Sequence, residues 1–198
     1  MTSIYIDMDD VLTESNKTFL AVLERDFDKK IEYSQITTFD LQKSFGLSDD
    51  EYDAFFNNIH QPDEMILHEP VNGAKEVLQS WHDCGYEVSI LTGRPLDTLD
   101  VSLEWLNRHG FLYDTFSIVN KYGRDSSKGD RSMSLEKLST LSFDLAVEDS
   151  SQMARFLSET MGVPVALLDR PWNRPITFND NVHRCSSWTE IKHKFERL

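Results

Sequence analysis

The apolar positions of this chain follow two different periodicities. Ile4-Tyr5-Ile6 is a short β-prone run that stops at once in three carboxylates, Asp7, Asp9 and Asp10, before Val11-Leu12 resumes. From Thr13 to Pro70 the spacing becomes helical. Ser15 to Phe27 places Phe19, Leu20, Leu23 and Phe27 on one helix face. Ser48-Asp49-Asp50-Glu51 reads as a capping box that opens a second helix carrying Tyr52, Phe55 and Phe56. Lys30 to Tyr33 is the one candidate for a short strand in this stretch.

From Asn72 onward, helices and strands alternate. Asn72 is placed to cap a helix bearing Val77, Leu78 and Trp81, which Gly85 ends. Strands are predicted over 87–91, 115–119, 143–147 and 163–168, with a last short one over 182–185. Pro164 puts the start of the fourth of these at an edge or an unpaired position. Helices are predicted over 97–109, 135–141 and 152–161. Ser187-Trp188-Thr189-Glu190 is a capping box before a C-terminal helix with Ile191, Phe195 and Leu198.

This order predicts an α/β fold: a Rossmann-like, mostly parallel sheet flanked by helices. The helical unit inserted after the first strand should lie over that strand's carboxyl end, as a small cap or lid. The expected division is a core of residues 1–12 and 71–198 and a cap of 13–70.

Composition narrows the function. The 198 residues carry 34 acidic against 20 basic side chains, a formal charge of −14. That field disfavours a nucleic-acid polymer or an anionic membrane as partner. It leaves room for a small anionic substrate, because a metal and a few local donors outweigh a distant field. Cys84 and Cys185 are the only cysteines, too few for a disulfide framework or a paired-cysteine metal site. With no apolar run of about 20 residues and no signal-like N-terminus, the expectation is a soluble cytoplasmic protein.

Four strand ends carry candidate chemistry. Asp7 and Asp9, two apart in extended chain, point the same way. Like charges closing a strand call for an offset, and hard oxygen ligands at close quarters suit Mg²⁺. Taken alone, Asp-x-Asp serves equally as an acidic turn. Thr92-Gly93-Arg94-Pro95 offers a hydroxyl, free N–H groups and a guanidinium for a phosphate; it would also serve as a plain strand-to-helix turn. Glu148-Asp149 repeats the acidic strand end, and one of the two could be a helix cap. Lys121 follows the third core strand. In open α/β sheets ligands bind at the carboxyl ends of strands, so the four signals converge.

On these residues the chain resembles the haloacid dehalogenase-like superfamily of phosphotransferases. Its motifs match Asp7-Met8-Asp9-Asp10-Val11-Leu12, Thr92-Gly93-Arg94-Pro95, a lysine and Glu148-Asp149, over essentially the whole chain. It is similar in particular to the 5′(3′)-deoxyribonucleotidase-like branch, through the small cap and Leu168-Asp169-Arg170-Pro171-Trp172-Asn173-Arg174. Trp172 and Arg174 could order a loop near the phosphate, or Trp172 could anchor the C-terminal helix. Lys121 fits the lysine position, which makes 122–131 an insertion; Lys137 and Lys128 are the alternatives. Asp10 stands where many relatives have Gly, and it could simply turn outward.

The resemblance implies a phosphomonoester hydrolase. Asp7 would be the nucleophile and Asp9 the acid and base, with Thr92, Gly93, Arg94 and Lys121 on the phosphoryl group. Mg²⁺ would be held by Asp7, the Asp9 carbonyl and Asp149, with Glu148 close by. The implied substrate is a small phosphorylated metabolite, a nucleoside monophosphate by preference. A sugar phosphate or another small phosphomonoester is the alternative, and a catalytically silent phosphate-binding protein the second. Phe19, Phe39, Phe45, Phe55 and Phe56 are expected to form mostly the cap's own core, with one or two facing the site.

Overall fold

The computed structural model describes residues 1–123 and 132–195. Six strands form one parallel sheet: β1 (Ser3–Ile6), β2 (Glu87–Thr92), β3 (Thr115–Ile118), β4 (Leu145–Glu148), β5 (Val165–Leu168) and β6 (Val182–Cys185), in the order β3-β2-β1-β4-β5-β6. Side chains alternate across the sheet, and the inner strands β1, β2, β4 and β5 are covered on both faces, which is why they read as mainly apolar runs; the edge strands β3 and β6 are only partly buried. Ile4, Ile6, Val88, Ile90 and Val147 share one apolar cluster with Trp81, Trp105 and Trp188. Those three tryptophans lie on α5 (Ala74–Asp83), α6 (Leu99–His109) and α9 (Trp188–Lys194). Tyr5, Ala146, Val165 and Leu167 belong to a second cluster with residues of α7 (Leu135–Leu138) and α8 (Ser151–Arg155). The chain winds outward from β1 in one direction and from β4 in the other. The topological switch therefore falls between these two strands, where the crevice for a ligand opens.

Between β1 and α5 the chain forms four helices, α1 (Ser15–Phe27), α2 (Leu41–Phe45), α3 (Asp49–Ile59) and α4 (Pro62–Met65). Phe19, Val22, Leu23, Ile36, Phe45 and Phe55 are packed together there as a third cluster. The entry and exit of this segment are tied: the Val71 N–H donates to the Leu12 carbonyl and the Glu14 N–H to the Glu69 carbonyl, both at 2.8 Å.

Local signals hold and fail for identifiable reasons. Ser48 and Glu51 make the reciprocal capping box of α3. Ser187 caps α9, but Glu190 reaches Ser186 rather than closing the box. Lys30–Tyr33 is not a strand; residues 33–35 make a single 3₁₀ turn. Gly73, not Asn72, occupies the cap of α5, in a left-handed conformation. Pro164 lies just before β5, an interior strand, and its carbonyl accepts the Ala146 N–H, so its missing donor leaves no gap in the ladder. Beyond Arg155 the helix predicted to Met161 continues as a π-helical turn over 156–160. Leu198 and most of the inserted 122–131 segment lie outside the described residues.

Candidate active site

The carboxyl ends of β1, β2, β3 and β4 bring the sequence-predicted residues together. Asp7 is 5% exposed, and its Oδ1 accepts from Lys121 Nζ at 2.6 Å. The same ammonium donates to Glu148 Oε1 at 2.8 Å. Lys121 stands just past β3, where its side chain is fully enclosed. Lys137 is exposed on α7, and Lys128 lies outside the described residues. Burial works against the charged lysine, but Asp7 and Glu148 outweigh it and keep Lys121 protonated.

Glu148 is saturated. Its Oε1 also accepts from the Tyr5 hydroxyl at 2.8 Å, and Oε2 accepts the Asp149 and Ser150 N–H groups at 3.1 Å each. Glu148 thus ties β1, the lysine and the turn after β4 to one point. Asp149 accepts from the Trp172 indole N–H through Oδ2 at 2.9 Å, and its carbonyl accepts from the Asn173 amide. One ligand oxygen each from Asp7, Glu148 and Asp149 lies within 4.8 Å of the others.

This cluster carries an electrostatic load. Burial raises Asp7 to about 7, with Lys121 pulling down and Glu148 and Asp9 pushing up. Burial, then Asp7 and Glu148, raise Asp149 well above the usual carboxylate range. Repelling buried carboxylates with all-oxygen donors are the chemistry a hard divalent cation fits.

Asp9 belongs to a different arrangement. Its carboxylate accepts from Arg94 Nε at 2.9 and 3.1 Å and from Nη2 at 2.6 Å, and also from Ser15 Oγ. Burial, partial for this side chain, would raise its carboxyl; the Arg94 guanidinium reverses that and holds it well below the usual range. Arg94, expected on the phosphate, lines the cavity but is buried, with its side chain turned to Asp9, Ser102 and His68. The Thr92 hydroxyl accepts the Arg94 N–H at 3.2 Å. Gly93 is required for a steric reason: a Cβ there would stand 2.8 Å from Tyr122 Cε2 and 3.3 Å from Lys121 Cδ.

Asp10 does not turn outward. It is 2% exposed, at φ 55°, and its carboxylate accepts from the Asn16 amide at 2.6 Å. A left-handed residue with a short polar side chain is the non-glycine solution to this turn. Burial raises its carboxyl to about 7, with Arg170 lowering it. Arg170 also grips the Asp10 carbonyl at 2.7 and 3.0 Å.

A cavity of about 630 Å³ opens over Asp7, Asp9 and Asp149, with Phe39, Phe56 and Tyr122 on its aromatic walls. Phe39 and Tyr122 face each other at 5.4 Å between ring centroids.

A family model described as "5′ nucleotidase, deoxy (Pyrimidine), cytosolic type C protein" matches residues 1–196. The chain belongs to this nucleotidase family. It is 28% identical over 189 residues to the provisionally named nucleotidase BH1399 of Halalkalibacterium halodurans, covering 94% of this chain and 89% of that one. It is 25% identical over 194 residues to the provisionally named nucleotidase YqfW of Bacillus subtilis, covering 96% and 91%. The fold matches that of a predicted phosphatase from Clostridium acetobutylicum with a TM-score of 0.67 at 15% identity, over 100% and 99% of the two chains. It also matches a HAD family hydrolase from Deinococcus radiodurans, seen with phosphate and sodium, with a TM-score of 0.63 at 14% identity, over 98% and 94%. The nucleotidase is an enzyme of the haloacid dehalogenase-like phosphatase type.

Several site residues of this nucleotidase escaped sequence reasoning. Tyr5, Ser15, His68 and Ser102 carry no motif; each is defined by a partner distant in sequence or by the irregular stem of the helical segment, and Arg170 belongs to the 168–174 signature, which assigned it no contact. Trp172 neither leaves the site nor anchors α9. It joins the apolar cluster of the inserted helices, edge-on to Tyr33, while donating to Asp149. Arg174 pairs with Asp169. Phe45 and Phe55 are core, as expected; Phe19 belongs to the same core and also lines the cavity, as do Phe39 and Phe56.

Proposed function

We propose that this nucleotidase hydrolyses nucleoside monophosphates, deoxyribonucleotides by preference, through an aspartyl-phosphate on Asp7. The observation that carries the reading is the placement of Asp7, paired with Lys121 and clustered with Asp149, beneath a cavity with aromatic walls. Asp7 attacks phosphorus, forming an O–P bond as the bond to the leaving oxygen breaks. Lys121 stabilises the charge developing on the phosphoryl group, assisted by Thr92 and the Gly93 N–H. Asp9 delivers a proton to the leaving alcohol, then takes one from the water that cleaves the acyl phosphate. In the ion-paired state Asp9 is a carboxylate, ready for the second of these proton transfers; the first requires it to gain a proton. Mg²⁺ would be held by Asp7, Asp149 and the Asp9 carbonyl, beside Glu148, and would neutralise the phosphoryl oxygens.

Residues 13–70 act in this reading as a cap over the site. The tied stem at residues 12–14 and 69–71 supports it, as does the helical segment's own apolar cluster. The cavity suits a single nucleoside: aromatic faces stack on a base, and the volume lies in the range of small-ligand pockets. A cytoplasmic location is proposed on the two free cysteines and on the lack, among described residues, of a helix long and apolar enough to cross a membrane.

The test is phosphate release from deoxy- and ribonucleoside monophosphates and sugar phosphates, with Mg²⁺ or EDTA, using Asp7→Asn as the blank. Mg²⁺-dependent release favouring nucleotides is expected. Turnover of sugar phosphates alone would discard the nucleotide assignment and keep the chemistry. Wild-type rates in Asp7→Asn would remove the mechanism.

A further inference from the structure

The Arg94 side chain is held from three sides, and each hold serves Asp9. Its Nη1 donates to Ser102 Oγ at 2.9 Å, and its Nη2 lies 3.3 Å from His68 Nδ1. Arginine has no acceptor, so His68 Nδ1 must accept, which places the imidazole proton on Nε2. A charged imidazole would have two donors and would repel the guanidinium; burial and Arg94 hold His68 neutral, down to about 3. The His68 main chain is held in turn, because its carbonyl accepts from the Trp105 indole at 2.7 Å. Ser102 and Trp105 are three apart on α6, so one helix face braces both Arg94 and His68. Thr92 accepts the backbone N–H of Arg94. The outcome is a fork pressed on both oxygens of Asp9, with Ser15 adding a hydroxyl to Oδ1 beside Arg94 Nη2.

We propose that Arg94, braced by Ser102 and His68, is a positioning residue that fixes the Asp9 carboxylate for proton transfer rather than a ligand of the phosphate. This rests on the reading of Asp9 as the acid and base. A guanidinium fork fixes both position and rotation of a carboxylate, which a point charge does not. Displacing a reacting group by about 1 Å costs on the order of 10²-fold in rate.

The two roles separate by leaving group. Expulsion of p-nitrophenolate needs no proton, whereas an alkoxide leaving from a nucleoside 5′-monophosphate does. The experiment is a rapid-quench measurement of the aspartyl-phosphate-forming step with both substrates and Mg²⁺, on wild type, Arg94→Gln and Arg94→Lys. The expected result is a loss with the nucleotide at least tenfold greater than with p-nitrophenyl phosphate, net of the easier protonation of Asp9 once the guanidinium is gone. Steady-state turnover should fall for both, because both pass through the hydrolytic step that Asp9 assists. Arg94→Lys should not rescue. Ser102→Ala, a gentler change, should reproduce the pattern at smaller size, with circular dichroism melts checking the fold of each variant. Equal losses with both substrates, together with weaker inhibition by inorganic phosphate and rescue by lysine, would make Arg94 a phosphate ligand and overturn the proposal. A wild-type protein that forms no aspartyl-phosphate from either substrate overturns the reading beneath it as well. Formation in the wild type with equal losses in the variants overturns the positioning role alone.

Discussion

The sharpest consequence of the buried acidic cluster is that Mg²⁺ should stabilise the protein, and more so at alkaline pH. In the metal-free fold burial lifts Asp7 from 3.8 to about 7. Each pH unit of such displacement is worth about 1.4 kcal/mol, so keeping Asp7 ionised in the metal-free fold costs about 4 kcal/mol. The sign follows from proton counts. Between about pH 4 and pH 7 the folded state holds a proton that the unfolded chain has released. Stability contributed by this group is therefore lost as pH rises through 7. Asp149, also raised, acts in the same direction. A cation at the cluster relieves this cost, but a proton competes for the same oxygen. At pH 8 Asp7 is mostly ionised; at pH 5.5 only about one molecule in 30 is, given a value of about 7. If Mg²⁺ is supplied at about 100 times its Kd at pH 8, it adds about 2.7 kcal/mol, or roughly 5–10 °C in a domain of this size. A 30-fold loss of affinity at pH 5.5 would leave about 1 kcal/mol, roughly 2–3 °C. Thermal melts with Mg²⁺ and with EDTA at the two pH values measure the difference directly. An equal increment at both, or none at either, would refute the metal assignment of Asp7 and Asp149.

Three further substitutions test particular contacts. Gly93→Ala drives a methyl to within 2.8 Å of the Tyr122 ring and 3.3 Å of Lys121 Cδ, so it should cost about 1–3 kcal/mol in urea unfolding and lower kcat by displacing the lysine. Unchanged stability and rate would mean the ring yields freely. Phe39→Ala removes one wall of the cavity and should raise KM for a nucleotide by about tenfold, without changing inhibition by inorganic phosphate; a matching loss for both ligands would place Phe39 outside base recognition. At Asp10, whose φ is 55°, replacement by Gly should leave the protein about 1 kcal/mol more stable than replacement by Ala, since both lose the Asn16 contact and only Ala resists the left-handed turn. Equal denaturation midpoints would show that the turn is unstrained.

What the sequence made legible was whatever a periodic pattern or a strand end could carry. The inner strands, buried on both faces, announce themselves as apolar runs, and Asp7, Thr92 and Asp149 are visible because each closes such a run; Lys121 is visible because it follows the β-prone run of the partly buried edge strand β3. Ser48–Glu51 was readable because a capping box is complete within four residues. The Lys30–Tyr33 expectation failed because four residues of mixed pattern offer too little periodicity to separate a strand from a turn. The supporting partners were hidden for a different reason. Arg94 and Asp9 stand 85 positions apart, Trp172 and Asp149 stand 23 apart, and Tyr5 and Glu148 stand 143 apart. Nothing local to either member of such a pair records the other.

This division has a physical cause that bears on how the site is built. Backbone topology brings the strand ends together, so residues on strand ends are fixed by the same patterning that fixes the sheet. The choice of rotamer is left to contacts with residues on other elements, which the apolar pattern of the strand does not record. Arg94 has the composition of a phosphate ligand, and in the structure it pairs with Asp9, where Ser102, His68 and Ser15 converge. Glu148 had the composition of a metal ligand, yet Tyr5, Lys121 and two backbone N–H groups occupy both of its oxygens. Of the three acids in the cluster, Glu148 is therefore the one whose replacement should disturb Lys121 first and the cation second. Glu148→Gln keeps the shape and one carbonyl acceptor but removes the charge that Lys121 shares with Asp7. It should slow phosphoryl transfer while leaving the Mg²⁺-induced rise in melting temperature at pH 8 largely in place. Loss of that rise, at unchanged turnover, would invert the assignment and make Glu148 primarily a ligand.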